Sequence, residues 1–157
     1  MAFDSLAQRR IMGHFATGVT VVTVRHNGDI QGMTANAVTS LSLNPPLVLI
    51  AVDKTASMHA ALTGSRHFAL NMLSDSQEHL SRRFAMRGPK EVNDVAWITA
   101  SSGAPILADA LAWVDCKLAE ILPGGDHDIF IGEILAGDSR EGLPLLYFCG
   151  KYRRLAE

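Results

Sequence analysis

Phe3, Ala7, Ile11 and Phe15 recur at four-residue steps between Asp4 and Gly18, so the spacing predicts an amphipathic helix over residues 4 to 16 that packs by one face. The period then shortens. Val19 to Arg25 is a β-branched run, His26-Asn27-Gly28-Asp29 carries an Asn-Gly turn, and Ile30 to Ala35 returns, which together predict a β-hairpin. Leu47 to Val52 is apolar throughout and reads as a strand buried on both faces. Ser57 is placed to cap a short helix through Leu62, and His67 to Leu73 reads as strand. Ser74-Asp75-Ser76-Gln77 has capping-box spacing for a helix with Leu80 and Phe84 on one face. Residues 87 to 109, broken by Gly88-Pro89, Asn93-Asp94 and Ser101-Ser102-Gly103-Ala104-Pro105, read as loop. Alternation resumes from Leu111 to Leu122, ahead of a Pro123-Gly124-Gly125-Asp126 turn. Ile129 to Ala136 gives the next strand, with Gly132 as a point of close backbone approach, and Leu145 to Phe148 ends the series. Short strands set apart by turn signals, with few helices, predict a mainly β fold: an antiparallel, closed or nearly closed β-barrel with added α-helices, in a single domain spanning residues 1–157.

One stretch departs from these patterns. Residues 32 to 46, from Gly32 to the double proline Pro45-Pro46, are dominated by small side chains, with hydroxyl or amide groups at Thr34, Asn36, Thr39, Ser40 and Ser42. Small residues let another body approach the backbone, and the polar groups left there can hydrogen-bond a flat heteroaromatic ring or a phosphate. That reading is a ligand shelf. An ordinary Thr/Ser-rich strand running into a Pro-Pro stop fits the same spacing.

Composition narrows the class. With 48% hydrophobic residues, 19% charged residues and a net charge of -2, the 157-residue chain has the make-up of a soluble globular domain able to bury its own core. No basic run is long enough to suggest nucleic acid or an anionic membrane as a bulk partner. The longest apolar run, Leu47 to Val52, falls far short of the ~20 residues of a membrane span. Cys116 and Cys149 sit among apolar neighbours, which suits buried thiols in a reducing compartment better than a disulfide, and the N-terminal residues lack a signal-peptide pattern. A cytoplasmic location is expected.

Candidate chemistry is best approached by exclusion. The six histidines have no partners at metal-ligand spacing, so no metal site is expected. Neither cysteine has an adjacent base, Gly137-Asp138-Ser139-Arg140 is not a nucleophile elbow, and no Gly-rich dinucleotide fingerprint or P-loop occurs. Ser40, Lys54 and Ser57 offer the cation and donors that a phosphate needs, although Lys54 also fits a solvated loop charge. His127 fits either an unremarked turn histidine or a ring that meets a ligand at the barrel mouth.

Six motifs in series carry a resemblance. Phe15-Ala16-Thr17-Gly18-Val19-Thr20-Val21-Val22-Thr23, Gly32-Met33-Thr34-Ala35-Asn36, Ser42-Leu43-Asn44-Pro45-Pro46-Leu47-Val48-Leu49, Phe68-Ala69-Leu70-Asn71-Met72-Leu73, Gln77 with Leu80-Ser81 and Phe84-Ala85, and Gly125-Asp126-His127-Asp128-Ile129-Phe130-Ile131-Gly132-Glu133 together closely resemble the short-chain flavin reductases of two-component flavin-dependent monooxygenases. The resemblance implies a flavin-binding split barrel of Greek-key type, usually a homodimer. It implies that Met33, Thr34, Ala35 and Asn36 line the isoalloxazine, and that Thr39 and Ser40 lie near the ribityl chain or phosphate. Lys54, Thr55 and Ser57 would hold the phosphate, and Phe84, Ala85 and Arg87 would cover the flavin from another side. His127 matches a histidine that contacts the nicotinamide, and Tyr152 matches a C-terminal residue placed near it, with Lys151 standing where the family often has arginine.

The activity so implied is that of an NAD(P)H:flavin oxidoreductase, which takes hydride from NADH or NADPH, reduces FMN or FAD and supplies reduced flavin to an oxygenase partner. A non-catalytic flavin carrier and an oxidase of the pyridoxamine-phosphate type share the barrel class. Gly125-Asp126-His127 favours the enzyme over the carrier. No sequence fingerprint separates FMN from FAD or NADH from NADPH.

Overall fold

The computed structural model describes residues 2–156. In chain order the elements are α1 (Ser5–Met12), β1 (Thr17–Gly18), β2 (Thr20–His26), β3 (Asp29–Ala35), β4 (Val38–Leu43), β5 (Pro46–Asp53), α2 (Ser57–Ser65), β6 (His67–Met72), α3 (Glu78–Ala85), β7 (Trp97–Thr99), β8 (Pro105–Leu107), β9 (Ala112–Gly124), β10 (His127–Ser139), β11 (Leu146–Phe148) and β12 (Lys151–Arg153). Seven strands form the main sheet in the order β3-β2-β6-β9-β10-β5-β4, with every neighbouring pair antiparallel.

That order has one decisive feature: the two edge strands, β3 and β4, are joined by Asn36 and Ala37 alone. At ~3.3–3.6 Å per residue, the steps from Ala35 to Val38 reach no more than about 11 Å. Laid flat, the same sheet would hold its edges roughly 29 Å apart at the usual strand spacing. It must therefore curl until its edges meet at this corner. The carbonyl of Ala37 accepts from the N–H of Ala51, which fastens the corner to β5. β3 and β4 form no ladder with each other, so the barrel is closed at the corner and split beyond it.

β2 runs through the centre of the molecule and is buried on both faces. Val22 and Val24 join Ile50, Leu62, Phe68 and Phe130 inside the barrel, whereas Val19 and Val21 pack outward with Leu73, Leu80, Phe84 and Leu107 beneath α3. Its buried polar residues are satisfied, the Thr20 hydroxyl donating to the Ala35 carbonyl and the Thr23 hydroxyl to the Pro105 carbonyl, both at 2.5 Å, and the neighbouring β6 adds Asn71. Asn71 donates to the Val21 carbonyl at 2.9 Å and the Thr23 hydroxyl at 3.0 Å, and accepts from the N–H of Leu107 at 2.9 Å. Gly132 is where the predicted close approach occurs, since a Cβ there would stand 2.5 Å from the Phe68 ring.

Three expectations are corrected. The N-terminal helix ends at Met12, with Asp4 as its cap, and it buries no residue: Phe3, Ile11 and Phe15 are 69%, 53% and 72% exposed. The stripe is real, but the described residues leave it largely exposed. Ser57 is the first helical residue of α2 instead of its cap, a position held by Ala56. Residues 87 to 109 contain the β7–β8 hairpin, because Ile106 and Leu107 bury against the barrel and Trp97 covers Phe84. No helix among the described residues is long and apolar enough to cross a membrane.

Both cysteines are free, but only Cys116 is buried as the sequence suggests; Cys149 sits exposed in the turn between β11 and β12. Burial in the barrel, with a smaller contribution from the charge of Asp115, pushes the Cys116 thiol up to about 12, while Cys149 is exposed. A thiol reagent at mildly alkaline pH should titrate Cys149 alone in the native protein and both cysteines after denaturation. Two reactive thiols in the native state would contradict the burial.

Candidate active site

A cavity of about 1020 Å³ opens beside the corner where the sheet edges meet. One wall is β3 along its whole length, with Asn36. Because β3 pairs only with β2, its other edge carries unpaired backbone N–H and C=O groups along the residues that line the cavity. Thr55, Ala56, Ser57 and Met58 form the floor at the start of α2, Phe84 to Lys90 come from the end of α3 and its loop, and Tyr147 and Tyr152 come from the C-terminal hairpin.

The wall is held by close contacts. Gly32 lies against the Phe84 ring so tightly that a Cβ would stand 2.7 Å from it. Next to it, the Thr34 hydroxyl donates to the Ser81 carbonyl at 2.6 Å. The Ser81 hydroxyl is 2.6 Å from that of Tyr152, so one relay joins shelf, helix and C-terminal strand. The Arg82 guanidinium lies 4.8 Å over the Tyr152 ring, and Tyr147 meets that ring edge to face at 5.3 Å.

Polar groups collect on the floor. Asp53 accepts at 2.7 Å from both the N–H and the hydroxyl of Thr55, which holds its carboxyl below the ordinary aspartate value; the charges of His127 and Arg87 add to this. It stays ionised through neutral pH. The first turn of α2 has no side-chain cap, and Ala56, Ser57 and Met58 face the cavity, so the positive end of that helix is turned toward it.

Of the residues singled out in the sequence, Met33, Thr34, Ala35, Asn36, Thr55, Ser57, Phe84, Ala85, Arg87 and Tyr152 line this one cavity. Thr39, Ser40, Lys54 and His127 do not. Thr39 and Ser40 sit exposed on β4, past the corner and on the opposite sheet edge. Lys54 turns toward Asp128, with its Nζ 3.9 Å from Oδ1 of a carboxylate whose other oxygen, Oδ2, is 2.7 Å from His59 Nε2. His127 opens β10 directly opposite Asp53, one ladder position from the cavity wall. Its Nδ1 is 2.7 Å from the Asp126 carboxylate, and among the described residues its Nε2 has no partner.

Gln31, Asp53, Ser81, Lys90 and Tyr147 also line the cavity and were not singled out in the sequence. Asp53 with Thr55 had a readable signal in its Asp-x-Thr turn spacing. Ser81 had a weaker one, three positions before Phe84 on the same helical face. Among the described residues, no group of three or more His, Cys, Asp or Glu side chains is gathered as a metal site would require.

Residues 12–156 match the family described as "Flavin reductase like domain". The chain is 44% identical to an NADH-dependent FAD reductase of Streptomyces globisporus, over 98% of this chain and 87% of that protein. It is 40% identical to the reductase component of a 4-nitrophenol 4-monooxygenase/4-nitrocatechol 2-monooxygenase of Rhodococcus opacus, over 95% of this chain and 80% of that protein. Among solved structures, the S. globisporus C-1027 NADH:FAD oxidoreductase SgcE6 in complex with NAD and FAD fragments superposes with a TM-score of 0.92 at 42% identity, covering 98% of this chain and 93% of that one.

The Gly32–Phe84 contact makes a stability prediction. Gly32→Ala should lower unfolding stability by about 1–3 kcal/mol, because the added methyl must displace a buried aromatic ring from β3. An unchanged denaturant midpoint would show that Phe84 does not rest on the shelf.

Proposed function

Because the chain belongs to the flavin reductase like domain family, we propose that it oxidises NADH or NADPH, reduces FMN or FAD, and delivers the reduced flavin to a separate oxygenase component. The observation that carries this reading is the cavity at the barrel corner. Its volume of about 1020 Å³ suits a nucleotide-sized ligand, and its walls combine small residues, an unpaired strand edge and an uncapped helix start.

A flavin seated there supplies a ring that accepts hydride, so no side chain of this protein has to carry the bond-making chemistry. Met33, Thr34, Ala35 and Asn36 would hold the ring from the β3 side, with the free backbone N–H groups of that edge stabilising negative charge as it grows. Phe84, Ala85 and Arg87 would cover it from α3. Thr55 and Ser57, at the start of α2, would donate to a phosphate. His127 would contact the nicotinamide through its unpartnered Nε2, and Tyr152, fixed by Ser81 and Tyr147, would bound the same side. Holding two rings face to face with water partly excluded is the protein's contribution to rate.

The exposed stripe on α1, with Leu43 of β4 at 91% exposure, suits a homodimer interface. A cytoplasmic place fits an enzyme that draws on NADH and keeps two free thiols. The whole chain acts as one domain in this reading.

Mixing protein, reduced nucleotide and FMN, FAD or riboflavin in a grid should give loss of nucleotide absorbance that depends on both ligands; no oxidation with any pair would contradict the reading, and flavin binding without oxidation would mark a carrier. His127→Ala should raise the nicotinamide KM about fivefold, as the loss of one hydrogen bond of ~1 kcal/mol implies, while moving the flavin KM much less. An unchanged nicotinamide KM would remove His127 from the site. In solution the mass should be twice the 16.9 kDa of one chain, and Ile11→Glu should lower it toward the single-chain value; a monomeric parent protein would rule out the dimer.

A further inference from the structure

His127 stands on a piece of chain that should fray. It opens β10 at the tip of the β9–β10 hairpin, where Pro123, Gly124, Gly125 and Asp126 are all exposed and Gly125 turns with a φ of 75°. On one side of the ladder it faces Gly124 of that same tip, and on the other Asp53, the last residue of β5. Exposed tips built of small residues are among the first segments of a fold to open. A residue that meets a nicotinamide ring needs the opposite, a fixed place. Ladder bonds alone do not give it one.

Further contacts come from the segment that carries the cavity floor. The Lys54 N–H donates to the Asp126 carbonyl at 3.1 Å. Side chains alternate across a strand, so Asp128 points to the face opposite His127, the one that also carries the buried Phe130. There its Oδ2 accepts from Nε2 of His59 at 2.7 Å, and the Nζ of Lys54 lies 3.9 Å from its Oδ1. A carboxylate offers only lone pairs, so the His59 ring is the donor. That ring is itself seated edge to face on Phe130, with 5.1 Å between centroids. His59 belongs to the first turn of α2, directly after Thr55, Ala56, Ser57 and Met58 of the floor. The lysine contact is long and partly exposed and contributes little by itself. The shorter, half-buried histidine bond is the stronger grip.

We infer that Asp128 is a positioning residue: clasped by His59 and Lys54, its carboxylate ties the β9–β10 tip to the start of α2 and so fixes His127 relative to the cavity floor. Asp128 lines no part of the cavity and acts through His127. The other acid beside that ring, Asp126, bonds to its Nδ1 but is 92% exposed on the same tip, so it can orient the imidazole without anchoring it. The inference rests on the reading that His127 meets the nicotinamide.

Asp128→Ala removes the clasp, Asp128→Asn keeps an acceptor oxygen for His59, and His59→Ala cuts the same link from the α2 side. In the ligand-free protein, heteronuclear NOE values of the Asp126 and His127 amides should fall in both alanine variants, with those of Phe130 and Ile131 unmoved. Both alanine variants should raise the KM for NADH about threefold to fivefold, approaching the loss of the His127 bond itself, while FMN affinity stays within about twofold and Asp128→Asn recovers most of the change. In a His127→Ala background, Asp128→Ala should move the NADH KM no further, because its effect passes through that ring. Unchanged amide order at the tip, an unchanged NADH KM, an equal loss of FMN affinity, or a full additional effect on top of His127→Ala would each overturn the assignment. Retained FMN binding shows that the variants are folded. Parent protein that binds no flavin and oxidises no NADH would instead overturn the functional reading and this role with it, while the amide measurement still reports whether the clasp holds the tip.

Discussion

A two-residue link between the edges of a seven-stranded sheet governs this molecule. Asn36 and Ala37 are too short to let β3 and β4 part, so the sheet curls, and yet the two strands diverge from the corner without pairing. The result is a barrel with a seam. One side of that seam is a strand edge whose backbone groups have no strand to bond, and the cavity lies along it. An open edge is ordinarily a hazard for a β protein. Here α3, its loop and the C-terminal hairpin cover it at a distance, leaving room for a ligand.

The chemistry assigned to the cavity follows from how little the protein has to do to the ligand's bonds. Reactive groups come with the cofactor and the nucleotide, and the chain provides placement, a polar edge and charge balance. Each has a physical cause. Placement comes from the Gly32–Phe84 contact and the Thr34–Ser81–Tyr152 relay, which lock three elements to one another. Charge balance comes from Asp53, kept ionised by Thr55 and facing Arg87 and His127.

The strands were legible in the sequence because their periods are local properties: β2 and β3 with their Asn-Gly turn, the apolar β5, and the alternating β9 are each set by neighbours in the chain. The shelf was only half legible. Its small residues were visible, but a continuous stretch in sequence is folded around a corner in space, which keeps Met33 to Asn36 in the cavity and carries Thr39 and Ser40 away. Lys54 shows the same limit for charges. Nothing near Lys54 in sequence announces Asp128, which β10 brings to it, and nothing in the broken pattern after Gly88 announces a loop ordered by Arg83 and Trp97. The α1 stripe marks a further limit: periodicity reveals an apolar face but not which surface covers it.

The seam's role as the seat of a flat ring is best tested by following backbone amide chemical shifts while FMN is added to the protein. Perturbations should concentrate on Gly32 to Asn36, on Thr55 to Met58, on Ala85 to Lys90 and around Tyr152, and should be weak on β4 beyond the corner. Saturable shifts centred elsewhere on the barrel, with the β3 edge unmoved, would contradict the account.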